Sequence, residues 1–270
     1  MFRSEKIGFG SKRFITPTHC IHVPNRFKTG QPHPRPESLT MAVVARTPEQ
    51  KQAGLTVARI LLEIKAINFR PEDPYKLTSG WASPVYIDCR KVISYPLARR
   101  KITELAAAAV EREVGFAGLE AVAGGETAGI PYAAWLADKL NLPMLYVRKK
   151  PKGFGRNAQI EGTFEEGDRV LLVEDLASDG ASKVTFCKAI REAGGKIDHS
   201  LVVFFYGVFP GALKNLEEMG LNLHYLANWW DVLEVAEHAQ SFDKKTLDQV
   251  RAFLYDPVGW STAHGGKGSD

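Results

Sequence analysis

Apolar runs and helical stretches alternate along most of the chain. The apolar runs lie at 120–123, 143–147, 169–173, 200–206 and 222–226. Each run is short and lacks polar alternation, which is typical of strands buried on both faces of a parallel sheet. Stretches with helical periodicity separate the runs, at 128–140, 181–193 and 211–219. The pattern predicts an α/β fold, with an open parallel sheet flanked by helices.

The organised part of the sequence begins at Thr47. Pro48 and Gln50 follow it, and a hydroxyl, a proline in the first turn and a glutamine at the third position together form a helix start. The other predicted elements are a turn at 77–80, a strand or hairpin at 84–88, and helices at 96–114, 229–239 and 243–254.

The first forty residues differ in composition from the rest. They contain five of the fifteen prolines and seven Lys or Arg against two acids, without apolar periodicity. Such a segment buries too little apolar surface to offset its ordering entropy. We therefore expect residues 1–40 to be a disordered basic extension, an organelle-targeting leader, or a stretch read from a mis-assigned start with Met41 as the initiator. Residues 41–260 are expected to form a single domain, and 261–270 a flexible tail.

The charge distribution argues against a nucleic-acid partner, and the lengths of the apolar runs argue against a membrane partner. The net charge is +4, but the first forty residues carry +5, so the remaining 230 carry −1. With a net charge this close to zero, residues 41–270 are not expected to form an extended basic surface that binds nucleic acid. No apolar run approaches the roughly 18 residues of a membrane span. The three cysteines, at 20, 89 and 187, are too scattered for a disulfide framework or a zinc site. We expect no nucleic-acid or membrane partner, and a reducing, cytoplasmic location.

Residues 170–182, VLLVEDLASDGAS, hold the most informative pattern. An apolar strand runs into two acids, then a turn of small residues, then a helix. In open α/β sheets, ligands bind beyond the carboxyl ends of the strands. Free N–H groups and hydroxyls at the helix start would hold a phosphate. Glu174 and Asp175 could accept hydrogen bonds from vicinal ribose hydroxyls, directly or through a metal. The alternative is a strand followed by an acidic helix cap.

Three further segments place unusual residues at the ends of predicted elements. Residues 148–162, RKKPKGFGRNAQIEG, hold five cations within nine positions; the alternative is a solvated surface loop. Residues 123–131, AGGETAGIP, hold glycines that would let the backbone approach a phosphate closely. Residues 77–90, LTSGWASPVYIDCR, include Val85 and Tyr86, for which plain core packing is the alternative.

Taken in their order along the chain, the four segments resemble the motifs of type I phosphoribosyltransferases, and specifically those of orotate phosphoribosyltransferases. Residues 77–90 resemble the hood motif, 123–131 the diphosphate loop, 148–162 the catalytic loop and 170–182 the ribose-phosphate motif. The resemblance implies the type I phosphoribosyltransferase fold, with a small N-terminal hood at about 70–95 and a core at about 96–260.

The resemblance also implies roles for particular residues. The catalytic cations are Lys152, Arg148 and Lys149. Phosphoribosyl diphosphate is bound by Arg148 and Lys149 and by Glu174, Asp175, Leu176, Ala177, Ser178, Asp179, Gly180, Ala181 and Ser182. The diphosphate loop consists of Gly125, Glu126, Thr127 and Ala128, and orotate is bound by Ser178, Val85 and Tyr86. Mg²⁺ is held mainly through the substrate, with Glu174 and Asp175 as candidate ligands.

The implied reaction transfers ribose 5-phosphate from phosphoribosyl diphosphate to orotate in pyrimidine (UMP) biosynthesis, giving orotidine 5′-phosphate and diphosphate. A homodimer is implied, with loop 148–162 reaching the neighbouring active site. Two alternatives are a purine-type phosphoribosyltransferase and a non-catalytic regulator that senses phosphoribosyl diphosphate. The Ser-Pro pair of the hood and the Arg-Lys-x-x-Lys pattern disfavour the first. The second would need a DNA-binding domain, and residues 1–40 show no helix-turn-helix pattern.

Several positions depart from the family pattern and indicate a divergent subgroup. They are Thr78 and Ala128 in place of lysines, Phe154 in place of a histidine, Asp179 in the phosphate-binding turn, and the uncharged run 204–210 in place of an arginine that reads the base carboxylate. Lys76 and Arg90 are the candidates to replace the lysine expected at position 78.

Overall fold

The computed structural model describes residues 46–77, 79–153, 159–178, 181–208 and 212–268. The expectations for residues 1–40 lie outside these ranges, as do Thr78, Phe154, Asp179 and Gly180. The helices are α1 (Pro48–Glu63), α2 (Pro96–Glu113), α3 (Gly129–Leu140), α4 (Ala181–Glu192), α5 (Ala212–Glu218), α6 (Trp229–Ala239), α7 (Lys244–Tyr255) and α8 (Pro257–Ala263). The strands are β1 (Ile67–Phe69), β2 (Tyr75–Lys76), β3 (Ala82–Ser83), β4 (Val85–Ile87), β5 (Ala121–Gly125), β6 (Met144–Val147), β7 (Ile160–Glu161), β8 (Arg169–Ala177), β9 (Lys196–Phe205) and β10 (Asn222–Asn228).

Six strands form the central sheet, in the order β10-β9-β8-β5-β6-β7. All neighbours are parallel except β7, which runs antiparallel to β6. Ala123 of β5 pairs with Leu172 of β8 on one side and with Leu145 of β6 on the other. The carboxyl ends of these three strands therefore meet at one edge of the sheet, here called the carboxyl edge.

Helices cover both faces of the sheet, because successive side chains of a strand point to opposite faces. In β8, Leu171 and Val173 pack on the side of α1, α2 and α3, whereas Val170 and Leu172 pack on the side of α4. The prediction of a parallel sheet flanked by helices is confirmed. Within the described residues, no helix is long and apolar enough to cross a membrane.

Helix α1 begins where the sequence predicts. The Thr47 side chain accepts a hydrogen bond from the Gln50 amide, and the Gln50 side chain accepts one from the Thr47 amide at 2.9 Å. Just before this capping box, Arg46 Nη1 lies 2.5 Å from Asp231 Oδ2, and Arg46 Nη2 donates to the Leu226 carbonyl at 2.7 Å. The Asp231 carboxylate is 1% exposed. This buried ion pair ties the start of α1 to the start of α6.

The hood consists of two small antiparallel sheets, β1 with β4 and β2 with β3, followed by a 3-10 helix at Cys89–Ser94. Two buried tyrosines fix it to the core. The Tyr132 hydroxyl donates to the Cys89 carbonyl at 2.7 Å, and the Tyr206 hydroxyl donates to the Val85 carbonyl at 3.2 Å. Because Tyr206 directly follows β9, the hood lies against the carboxyl edge.

The carboxyl-terminal segment packs against the hood. Ser261 is fully buried, and its Oγ accepts from the Ala82 amide at 3.0 Å and donates to the Lys267 carbonyl at 2.7 Å. The Lys267 amide donates to the Gly80 carbonyl at 2.9 Å. For residues 261–268 this differs from the expected flexible tail. The segment is small and polar because it is held by backbone hydrogen bonds rather than by apolar side chains.

Candidate active site

The acidic pair, Glu174 and Asp175, lies within β8 rather than after it, because the strand continues to Ala177. The two side chains point to opposite faces of the sheet. Glu174 is buried on the α4 side, where its Oε2 lies 2.5 Å from Lys183 Nζ. Lys183 is fully buried and also donates to the Leu176 carbonyl at 3.2 Å. The sequence analysis missed this lysine.

Asp175 occupies the face of the sheet that is covered by the hood. Burial raises the pKa of its carboxyl, and the neighbouring Glu174 raises it further, while Arg90 and Lys183 oppose the rise. Arg90 belongs to the 3-10 helix of the hood, where its amide donates to Asp88 Oδ1 at 3.2 Å. The structure therefore brings a cation of the hood within electrostatic range of the acidic pair.

The diphosphate loop, Gly125 to Ala128, joins β5 to α3 at the carboxyl edge. Its glycines are required for packing as well as for any approach of a ligand. A Cβ on Gly125 would lie 2.6 Å from the Phe186 ring, and a Cβ on Gly129 would lie 2.4 Å from the Val173 carbonyl oxygen. Thr127 is exposed and Ala128 is half-buried. The loop is therefore fixed between α3 and β8.

The cationic loop, residues 148–162, begins beside the diphosphate loop. The Lys149 amide donates to Glu126 Oε2 at 2.7 Å. Arg148 and Gln159 close the base of the loop through hydrogen bonds of 2.7 and 3.0 Å. Arg148 Nη1 lies 3.5 Å from Glu161 Oε1, whereas its buried Nε has no hydrogen-bond partner among the described residues. Lys149 and Lys152 are exposed.

The segment between β8 and α4 is described only in part, since Asp179 and Gly180 lie outside the described residues. Ser178 lies in a bend immediately after β8, and Ala181 and Ser182 are the first residues of α4. Leu176 is half-buried and Ala177 is buried. The Ala177 carbonyl accepts from the Tyr206 amide at 2.8 Å. Residues 178–182 are called the phosphate turn below.

The two hood residues expected to bind orotate lie in different surroundings. Val85 is fully buried in the core, and its amide and carbonyl are already hydrogen-bonded, the amide to Ser83 Oγ and the carbonyl to the Ser83 and Tyr206 hydroxyls. Tyr86 is 42% exposed and lies against Tyr75, with ring centroids 5.1 Å apart. The core-packing alternative therefore describes the Val85 side chain, whereas Tyr86 is accessible.

The described residues contain no cluster of three or more His, Cys, Asp or Glu side chains that could hold a metal ion by themselves. At the carboxyl edge, Asp175 is the carboxylate on the hood face, whereas Glu174 points to the opposite face and pairs with Lys183. Mg²⁺ is commonly bound by one or two carboxylates together with substrate phosphates and waters. Asp175 therefore fits a magnesium ion that arrives with its substrate, whereas the pairing with Lys183 disfavours Glu174 as a second ligand.

Comparisons with known proteins agree with these features. No family model matches the chain. The chain is 55% identical over 213 residues to the orotate phosphoribosyltransferase of Sinorhizobium fredii, covering 79% of this chain and 92% of that protein. It is 53% identical over 216 residues to the orotate phosphoribosyltransferase of Cereibacter sphaeroides, covering 80% of this chain and 93% of that protein.

Solved structures show the same similarity. UMP synthase of Leishmania donovani matches with a TM-score of 0.65 and 28% identity, over 76% of this chain and 42% of that one. Orotate phosphoribosyltransferase of Aeropyrum pernix matches with a TM-score of 0.57 and 28% identity, over 68% of this chain and 99% of that one. With more than half of the aligned residues identical to curated relatives, the chain belongs to the orotate phosphoribosyltransferases, which are pentosyltransferases of the type I phosphoribosyltransferase family.

Proposed function

We propose that the carboxyl edge is the site where this chain transfers ribose 5-phosphate from phosphoribosyl diphosphate to orotate. The main support for placing the active site there is one hydrogen bond between two loops. The hydrogen bond between the Lys149 amide and Glu126 Oε2, at 2.7 Å, joins the cationic loop to the diphosphate loop. Both loops lie at the same edge as the acidic pair, so the three parts needed for the reaction adjoin one another.

The cationic loop acts on the departing diphosphate. Displacement at the anomeric carbon passes through an oxocarbenium-like state, in which negative charge grows on the leaving group. Cations fixed before the reaction stabilise that charge, typically by several kcal/mol for each well-placed group. Lys152 is the principal cation, and Arg148 and Lys149 hold the diphosphate. The exposure of Lys149 and Lys152 and the half-buried position of Arg148 support these roles.

The acidic pair and the phosphate turn hold the ribose 5-phosphate group. Glu174 and Asp175 accept hydrogen bonds from the ribose hydroxyls. The N–H groups at the start of α4 and the hydroxyls of Ser178 and Ser182 bind the 5′-phosphate, since a helix start attracts anions. Mg²⁺, which the family uses with phosphoribosyl diphosphate, would neutralise charge on the diphosphate when bound. Asp175 would hold it together with the substrate, whereas Glu174, the other candidate ligand, is paired with Lys183.

The hood binds the base. The exposure of Tyr86, at 42%, supports a contact of its ring with orotate, and Ser178 is the second proposed contact. Of the two candidates for the lysine expected at position 78, Arg90 has the better support, because its charge acts on Asp175. The free, buried thiols of Cys89 and Cys187 support a reducing, cytoplasmic location.

The direct test follows orotate consumption by ultraviolet absorbance, using the full chain and a chain that begins at Met41. We expect absorbance to fall only when phosphoribosyl diphosphate, Mg²⁺ and protein are all present. Turnover of a purine base instead of orotate would contradict the proposal. Binding of phosphoribosyl diphosphate without turnover of any base would point to a sensor.

Asp175→Asn is expected to raise the KM for phosphoribosyl diphosphate by about tenfold or more, because hydrogen bonds to a charged group contribute about 1.5–3 kcal/mol. The KM for orotate is expected to stay within about twofold. Asp198→Asn is the matched control, since Asp198 is exposed near the opposite end of the neighbouring strand β9. An unchanged KM for phosphoribosyl diphosphate in Asp175→Asn would count against the ribose-binding role.

We further propose a homodimer in which each cationic loop serves the neighbouring active site. A mixing experiment with Lys152→Ala and Asp175→Asn tests this, at a phosphoribosyl diphosphate concentration well below the KM of the wild-type protein. Each variant alone should then have about one tenth of the wild-type activity or less. In a mixed dimer, one site combines an intact loop with an intact acidic pair, so random reassociation restores about one quarter of the sites. Mixed protein that gains no activity after demonstrated subunit exchange would show that each loop serves its own site.

A further inference from the structure

Lys183 is an unusual residue of this fold, because a lysine side chain that is fully buried is rare. It is the third residue of α4 and lies among the largest completely buried side chains. A buried ammonium is costly unless charged or polar groups surround it. Its partners therefore explain why it is tolerated there.

Both partners of Lys183 lie on β8, on the other side of the phosphate turn. Its Nζ lies 2.5 Å from Glu174 Oε2 and 3.2 Å from the Leu176 carbonyl oxygen. The strand leads into the phosphate turn and α4 leads out of it. One side chain thus joins the first turn of α4 to the last part of β8 and, at the same time, binds one member of the acidic pair.

We propose that Lys183 is a positioning residue that holds the Glu174 carboxylate in the arrangement that binds the ribose of phosphoribosyl diphosphate. This inference rests on the proposed function of the site. Lys183 itself is buried and does not touch the substrate. It acts through Glu174, whose carboxylate it orients, and its second contact, with the Leu176 carbonyl, fixes its ammonium group against β8.

A purely stabilising role explains Lys183 less well. Replacing a buried ion pair by apolar residues of similar volume is often neutral or favourable for stability. The same helix already buries apolar side chains, Phe186 and Ile190, against the sheet. Lys188 of α4 shows the ordinary alternative, because its side chain is 73% exposed and lies 3.7 Å from Glu192. We therefore assign the buried pair of Lys183 and Glu174 to orienting the Glu174 carboxylate rather than to stabilising the fold.

Four variants test the inference: Lys183→Met, Glu174→Gln, the double variant, and Lys188→Met as the matched control. Calorimetry gives the Kd of phosphoribosyl diphosphate without orotate, and kinetics give its KM and kcat. We expect Lys183→Met to raise Kd and KM by about tenfold or more, because it leaves Glu174 buried without its cation. We expect kcat to change less than about threefold, and Lys188→Met to match the wild-type protein.

The Glu174→Gln background shows whether Lys183 acts through Glu174. Coupled residues have non-additive effects, so adding Lys183→Met to Glu174→Gln is expected to change Kd by less than about twofold. The same fold-change in both backgrounds, or an unchanged Kd in Lys183→Met alone, would overturn the inference. If Lys183→Met does not fold, the comparison of Glu174→Gln with the double variant decides. These binding measurements do not depend on orotate turnover, so failure of the proposed function is seen separately in the wild-type assay.

Discussion

Lys152→Ala is expected to lower kcat by about 100-fold or more, because losing one donor to the transition state commonly has an effect of this size. Lys152 is exposed and makes no ion pair with the described residues, so its removal leaves the fold unchanged. The KM for phosphoribosyl diphosphate is expected to change much less, since Arg148 and the phosphate turn still bind the ground state. Steady-state kinetics with both substrates varied separate the two parameters.

Lys150→Ala is the matched control for this variant. Lys150 is exposed in the same loop and has the same charge, but it lies outside the positions that match the family pattern. Turnover should stay within about threefold of the wild-type value. If both variants lose turnover equally, the loop acts through its total charge rather than through Lys152. Near-normal turnover in Lys152→Ala would exclude it as the principal cation.

Asp231→Ala is expected to cause the largest loss of stability, about 3–5 kcal/mol, because it leaves a buried cation without its partner. The Arg46 side chain is only 9% exposed, so water cannot replace the carboxylate. The substitution also removes the acceptor for the Asn228 amide, 3.1 Å from Asp231 Oδ2, which belongs to the capping box of α6. For a domain of this size, the Tm should fall by about 6–20 °C.

Thermal unfolding of Asp248→Ala provides the comparison. Asp248 pairs with Arg251 at 3.0 Å, but its side chain is 50% exposed, and exposed pairs contribute about 0–1 kcal/mol. A Tm for Asp231→Ala as high as that of this control would show that the Arg46 pair does not hold α1 against α6. A shortened chain that begins at Met41 keeps the pair, whereas one that begins at Thr47 loses it.

The apolar runs locate these strands but underestimate the length of several, β8 and β9 most of all. The sequence predicts strands at 169–173 and 200–206, whereas β8 continues to Ala177 and β9 begins at Lys196. Charged residues end an apolar run, but a strand continues for as long as its backbone pairs with a neighbour. This is why Glu174 and Asp175 lie inside β8, on opposite faces, rather than in a turn beyond it.

Helix α8 was not predicted, although its start has a local signal. Asp256 caps the helix by accepting from the Gly259 amide at 2.8 Å, and Pro257 occupies its first turn. The small residues that follow lack the apolar periodicity on which the prediction relied. Their helix is stabilised instead by packing of Trp260 on Phe253, with ring centroids 5.6 Å apart.

Local secondary structure at the site could be predicted from the sequence. Contacts between residues that are far apart in the sequence could not. The start of α4 at Ala181 follows from local sequence alone. The hydrogen bond from Lys149 to Glu126 depends on how β5 and β6 pair, and the burial of Lys183 depends on how α4 packs on β8. A lysine in a helix is normally solvated, so nothing in its sequence neighbourhood indicated that Lys183 binds Glu174.

The contacts between the carboxyl-terminal segment and the hood matter for handling the protein. The Lys267 amide binds Gly80, and Ser261 binds Ala82, so both contacts fall within the segment that we assign to the base. A purification tag joined directly to the carboxyl terminus would begin only a few residues from these contacts. Trimming by a carboxypeptidase would reach them just as soon. Preparations that differ at this end should therefore be compared for orotate affinity before their kinetics are pooled, and a tag is better placed at the amino terminus.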